Sequence, residues 1–139
     1  MLAVLIDPKY SIGIAEMDAQ HARWVVLIQR FRTAAEGHMG DATGVSAARQ
    51  AIDALLAYTR SHFKSEEALL ESHHYPDLGA HRQLHGELEQ AVIALQEQLH
   101  GHSSSTPVKL NLLVTVWLLE HIHKHDKEYA VYLKTKGVA

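Results

Sequence analysis

The chain has 139 residues, 47% hydrophobic and 21% charged, with a formal net charge of −3 and no cysteine. That length suits a single domain spanning 1–139 around one buried core, and the acidic balance argues against a nucleic-acid or anionic-membrane surface, which needs a basic excess. Without cysteine there is no disulfide framework, thiolate nucleophile or thiolate metal site, so any metal must sit on nitrogen and oxygen donors.

The first residues, MLAVLIDPKY, hold a short apolar run. It lacks a basic flank and meets Asp7 and Pro8 too soon for a secretory signal. Residues 1–16 read as an irregular arm. Helix one is expected in MDAQHARWVVLIQRFRTAAE, where Trp24, Val25, Leu27, Ile28 and Phe31 recur at helical spacing and Asp18 stands as the N-cap. After the break GHMGDATG comes VSAARQAIDALLAYTRSHFKSEEALLES, with Ala48, Ile52, Leu55, Leu56, Phe63, Leu69 and Leu70 on one face. After HHYPDLG comes LGAHRQLHGELEQAVIALQEQL, with Leu84, Leu88, Val92, Leu95 and Leu99, capped by Asp77. The last break, GHSSSTP, leads to a fourth helix that starts near Pro107, a good first-turn residue, and runs past Asp126, before a final turn, KEYAVYLKTKG. VKLNLLVTVWLLEHI is the most apolar segment, but Lys109, Asn111 and Glu120 interrupt it, and no stretch reaches the roughly 18 apolar residues of a membrane span. A cytoplasmic monomer is the expectation. No strand alternation or hairpin signal occurs. The fold class is therefore all-α: four helices with short connections, an up-down-up-down bundle.

Twelve histidines are present, five of them within HFKSEEALLESHHYPDLGAHRQLH, residues 62–85. A helix turns about 100° per residue, so positions i and i+4 share a face. His62 with Glu66 and His81 with His85 form such pairs, although one pair alone is usually a solvated helix face. Their recurrence on successive helices carries more weight. His21 lies near the start of helix one, His62 and Glu66 near the end of two, His81 and His85 near the start of three, and HIHKHD near the end of four. In an up-down-up-down bundle these places share one end and form one layer. Five imidazoles and two carboxylates exceed what one transition metal binds and suit two metals bridged by carboxylates, a site that bundle cores are known to hold. In HIHKHD the partner of His121 stays open on spacing. His125 at offset four shares its face, whereas Asp126 at offset five lies about 140° away on an ideal helix.

SIGIAEMDAQH, then YTRSHFKSEEALLESHHYP with HRQLH, then WLLEHIHKHDKEY, in this order and at these intervals, resemble the bacteriohemerythrins, the single-domain bacterial branch of the hemerythrin family. The resemblance spans almost the whole chain. It implies a non-haem di-iron centre with an oxo or hydroxo bridge and no haem. His81, His85 and His121 would bind one iron, His21 and His62 the other, and Glu66 and Asp126 would bridge them. The choice of Asp126 over His125 requires a bulged turn. The two-histidine iron would keep an open position for dioxygen, and Trp117 and Leu118 would line an apolar oxygen pocket. Two departures stand out: the arm has no tryptophan before SIGI, and Trp24 occupies a place commonly held by leucine. The remaining histidines, His38, His73, His74, His100, His102 and His123, read as surface residues, and Glu67 as solvated or supporting the site. The function implied is reversible oxygen binding for carriage, storage or delivery, without enzymatic activity, the partners being dioxygen and an oxygen-using enzyme or redox protein. The alternatives are a di-iron oxidase or peroxidase and an oxygen or redox sensor.

Overall fold

The computed structural model describes residues 11–37, 42–100 and 116–139. Helix α1 spans Ala15–Gly37, α2 Ala42–Ser72 and α3 Leu78–His100. The fourth helical rod comprises residues 116–120, a π-helical segment His121–Asp126, and α4 Lys127–Thr135. No strand occurs among the described residues. The architecture is a four-helix bundle, as the periodicity predicts. The start at Pro107, residues 1–10 of the arm, and His38 and His102 lie outside the described residues.

The apolar faces read from the sequence become the core. Trp24, Ile28, Phe31, Ile52, Leu55, Leu70, Val92, Leu95 and Leu99 are all buried, joined by Leu118, Ile122 and Leu133 from the fourth rod. Leu69 and Leu84 are only partly buried. Adjacent helices run antiparallel. Trp24, early in α1, bonds Thr59, late in α2, and Arg49, early in α2, donates to the carbonyl of Leu99 at the end of α3.

The helix ends explain the breaks. At the end of α2, Tyr75 N–H donates to Leu70 C=O and His74 N–H to Glu71 C=O, while His74 takes a left-handed φ of 55°. This is a Schellman closure, with histidine in the place usually held by glycine. The end of α4 repeats it with Gly137 at φ 80°, where Val138 N–H reaches Leu133 C=O. Asp77 immediately precedes α3, and its carbonyl accepts His81 N–H, so the predicted boundary stands.

Asp18 differs from expectation. Helix α1 starts at Ala15, so Asp18 lies inside the first turn rather than at the cap. Its carboxylate reaches back to Ile12 N–H at 2.8 Å, Gly13 N–H at 3.1 Å and Ser11 O–H at 3.0 Å. The acid still sits at the positive helix end, but it gathers the residues that enter the helix, 11–13, onto its first turn. Ile12 and Ile14 are thereby buried.

Candidate metal centre

All seven residues of the predicted layer meet in one buried volume. His21, His62, Glu66, His81, His85, His121 and Asp126 are each at most 4% exposed. They divide into two sets whose candidate donor atoms lie within 4.8 Å of one another: Glu66, His81, His85, His121 and Asp126 in one, His21, His62, Glu66 and Asp126 in the other. The two carboxylates belong to both sets, and their oxygens divide between them. Glu66 Oε1 faces His81 Nε2 at 2.7 Å and His85 Nε2 at 3.0 Å, and Asp126 Oδ1 faces His121 Nε2 at 3.0 Å and His81 Nε2 at 3.3 Å. The other pair of oxygens turns the opposite way. Glu66 Oε2 lies 3.4 Å from His62 Nε2 and 3.6 Å from His21 Nε2, and Asp126 Oδ2 lies 3.0 Å from His21 Nε2.

Asp126 reaches this point through the π segment. A π turn takes in one more residue than an α turn, so the residue at offset five comes back over His121. His125, at the offset an ordinary helix would favour, is only partly buried. Its ring lies 5.6 Å from that of His121, and it belongs to neither donor set.

The surroundings orient the imidazoles. His62 Nδ1–H donates to Gln20 Oε1 at 2.8 Å, and Gln20 in turn donates to Ser65 Oγ. His85 Nδ1–H donates to Glu67 Oε2 at 2.8 Å, and Glu67 is held by Arg82. Each bond consumes the Nδ1 proton and leaves Nε2 with its lone pair turned into the site, the arrangement that metal-binding histidines use. Phe63 stacks flat on His85, with ring centroids 3.8 Å apart and planes 3° from parallel. Tyr129, fully buried, donates its hydroxyl to Glu66 Oε2 at 2.9 Å. Of the two readings of Glu67, solvated or supporting the site, the bond to His85 favours the second. Nothing in the sequence pattern marks the other two supporting residues, Gln20 and Tyr129, although Tyr129, three residues after Asp126, shares its helix face.

Charge decides the protonation of the site when no metal is bound. Burial disfavours a proton on His21 and His81, but Asp126 and Glu66 outweigh it and raise both imidazoles from 6.5 to about 9. Burial pushes the two carboxylates up, yet the surrounding imidazoles dominate and hold both well below the usual range. Burial, with Glu66 and Asp126 nearby, pushes the Tyr129 phenol far up, so it stays a hydrogen-bond donor.

The donor set fits a metal pair. His21 Nε2, His62 Nε2 and both Asp126 oxygens are buried and close to opposite partners, but none makes an aligned hydrogen bond. A buried carboxylate without hydrogen bonds is costly unless a cation meets it. Nitrogen and carboxylate donors are the ligands that iron and its first-row neighbours accept.

Of the two residues expected to line an oxygen pocket, Leu118 is fully buried. Trp117 is 44% exposed and borders a surface cavity of about 220 Å³ with Leu84, Leu88 and His121. Of the histidines read as surface residues, His74, His100 and His123 are exposed and His73 is half-buried.

The fold and the site together define a helical bundle built around a buried histidine–carboxylate cation centre. The chain belongs to the hemerythrin family: the hemerythrin HHE cation binding domain matches residues 12–133. It is similar to the bacteriohemerythrin of Methylococcus capsulatus, 30% identical over 122 residues that cover 87% of this chain and 88% of that one. The bacteriohemerythrin of Stenotrophomonas maltophilia is 29% identical over 124 residues, 89% and 77% of the two chains. The crystal structure of wild-type hemerythrin superposes with a TM-score of 0.72 at 30% identity, over 84% of this chain and 86% of that one.

Proposed function

We propose that the seven residues hold two iron ions and that the pair binds dioxygen reversibly. His81, His85 and His121 serve one iron, His21 and His62 the other, and Glu66 and Asp126 bridge both. The observation that carries this reading is the division of the carboxylate oxygens: Oε1 and Oδ1 face three imidazoles, while Oε2 and Oδ2 face two. A bridge between two cations needs that division; a single-metal site does not. Similarity to bacteriohemerythrins over most of the chain supports the choice of iron and of dioxygen.

When bound, the iron pair supplies electrons and open coordination for dioxygen. The chain does the rest. Glu66 and Asp126 fix the spacing of the two positions. Gln20 and Glu67 lock His62 and His85 in the tautomer that offers Nε2. Tyr129 holds Glu66 Oε2 with a donated hydrogen bond. Trp24 and Phe63 pack buried apolar surface against the imidazoles of His62 and His85 and would keep water from the centre. His62→Ala and Glu66→Ala should each abolish the oxygen-dependent visible spectrum. An unaltered spectrum in either variant would overturn the assignment.

A further inference from the structure

We propose that Trp24 selects the exogenous ligand at the two-histidine metal position, admitting small apolar molecules such as a diatomic gas and rejecting larger anions. The inference rests on the metal-pair reading above. The set containing His21 and His62 has four candidate donors and the other set five. The four-donor side therefore keeps more open coordination, the feature that lets non-haem iron accept an exogenous ligand.

Trp24 stands on that side. It follows His21 by three residues on α1, and Thr59 precedes His62 by three on α2. Because the two helices are antiparallel, Trp24 and Thr59 form the layer next to His21 and His62, toward the middle of the bundle. The indole ring centroid is 5.0 Å from that of His62 and 6.3 Å from that of His21. Phe63 packs against it in a T-shaped arrangement, with centroids 5.5 Å apart and planes at 84°. The indole N–H donates to Thr59 Oγ1 at 2.9 Å, and the Thr59 hydroxyl donates to Leu55 C=O at 2.7 Å. Both polar hydrogens are thus consumed, and both residues are 0% exposed. An entering molecule meets a rigid aromatic wall with no donor to offer. An anion that leaves water for such a wall loses its hydration without replacement, and a bulky one must displace a pinned ring in a close-packed interior.

The test uses the full chain loaded with two irons and oxidised, titrated with azide and with thiocyanate and followed by the visible charge-transfer band. Trp24→Leu opens the wall and is expected to tighten thiocyanate binding at least about tenfold, which corresponds to about 1.4 kcal/mol, while changing azide less. Trp24→Phe and Thr59→Val, which preserve more of the packing, should shift the same ratio in the same direction and carry the test if Trp24→Leu fails to fold. A second readout needs no oxygen chemistry. Trp117→Phe leaves Trp24 as the sole tryptophan, and cobalt(II) uptake should quench its emission. Unchanged anion selectivity across the variants, or an indole that cobalt leaves unquenched, overturns the role of Trp24 alone. A protein that cannot take up two metals overturns both this inference and the metal-pair proposal.

Discussion

Removing the metals and raising the pH should destabilise the protein steeply. In the metal-free site the negative charges of Glu66 and Asp126 are balanced by protons on His21 and His81, whose imidazoles are raised from 6.5 to about 9. A folded-state value above the unfolded one stabilises the fold fully below pH 6.5, and this stabilisation is lost as pH rises through about 9. At 1.36 kcal/mol per pH unit each imidazole contributes about 3 kcal/mol. The two lean on the same carboxylates, so together they supply about 3 to 6 kcal/mol, a large part of the roughly 5–15 kcal/mol that holds a domain together. The carboxylates act in the opposite sense: their depressed values give stability that is fully present above the ordinary carboxylate range and is lost as pH falls below that range toward the depressed folded values. Maximum stability of the metal-free chain should therefore lie between the two limbs, below pH 6.5. The assay is urea unfolding of chelator-treated protein at a series of pH values up to about 9, with a zinc-loaded sample beside it. Zinc takes over the charge balance, so the alkaline loss should vanish, and loading at neutral pH should release about two protons per chain into an indicator dye. A metal-free protein whose stability is flat between pH 6.5 and 9 would refute the charge-balance argument.

Substitution separates the two candidates at the π segment. Asp126→Ala should remove tight binding of at least one metal, whereas His125→Ala should leave two metals per chain; equal effects in metal analysis would contradict the bridging role. Deletion of Lys124 shortens the offset from His121 to Asp126 from five to four, which an ordinary α turn satisfies. Two metals should therefore still bind, with unfolding at or above the parent temperature, and loss of both metals would show that the π geometry itself is required. Tyr129→Phe removes the donor to a buried charged oxygen and should cost about 1.5–3 kcal/mol in urea unfolding of the metal-free protein; no measurable cost would mean that the hydroxyl is not holding Glu66.

The bundle is legible in the sequence because its apolar positions keep one period over long segments. Six of the seven site residues are legible too: His62 with Glu66 and His81 with His85 through their i,i+4 offsets, and His21 and His121 through their places at helix ends that share one layer. Asp126 is legible only through the family resemblance. Its offset of five contradicts an ideal helix, and the resolving π segment is a local backbone choice that no periodicity encodes. The residues around the site are hidden for a different reason. Gln20 is next to His21 in sequence but turns to His62 and Ser65, a result of the register between α1 and α2 rather than of either helix alone. The Trp24–Thr59 bond likewise exists only once the two helices are packed. Trp117 is assigned to the oxygen pocket by the family resemblance alone, and its 44% exposure beside Leu84 and Leu88 depends on how the fourth rod packs against α3, which no single helix encodes.

The decisive measurement is optical. The protein is loaded with ferrous iron without oxygen, its iron is counted, air is admitted, and the oxygen is then removed. Two irons per chain, with a visible charge-transfer band that rises in air and fades on deoxygenation through repeated cycles, is the result that the geometry of Glu66 and Asp126 predicts. Fewer than two irons would contradict the bridged pair, and two irons with a band that never reverses would contradict oxygen binding and point to oxidase or sensor chemistry at the same residues.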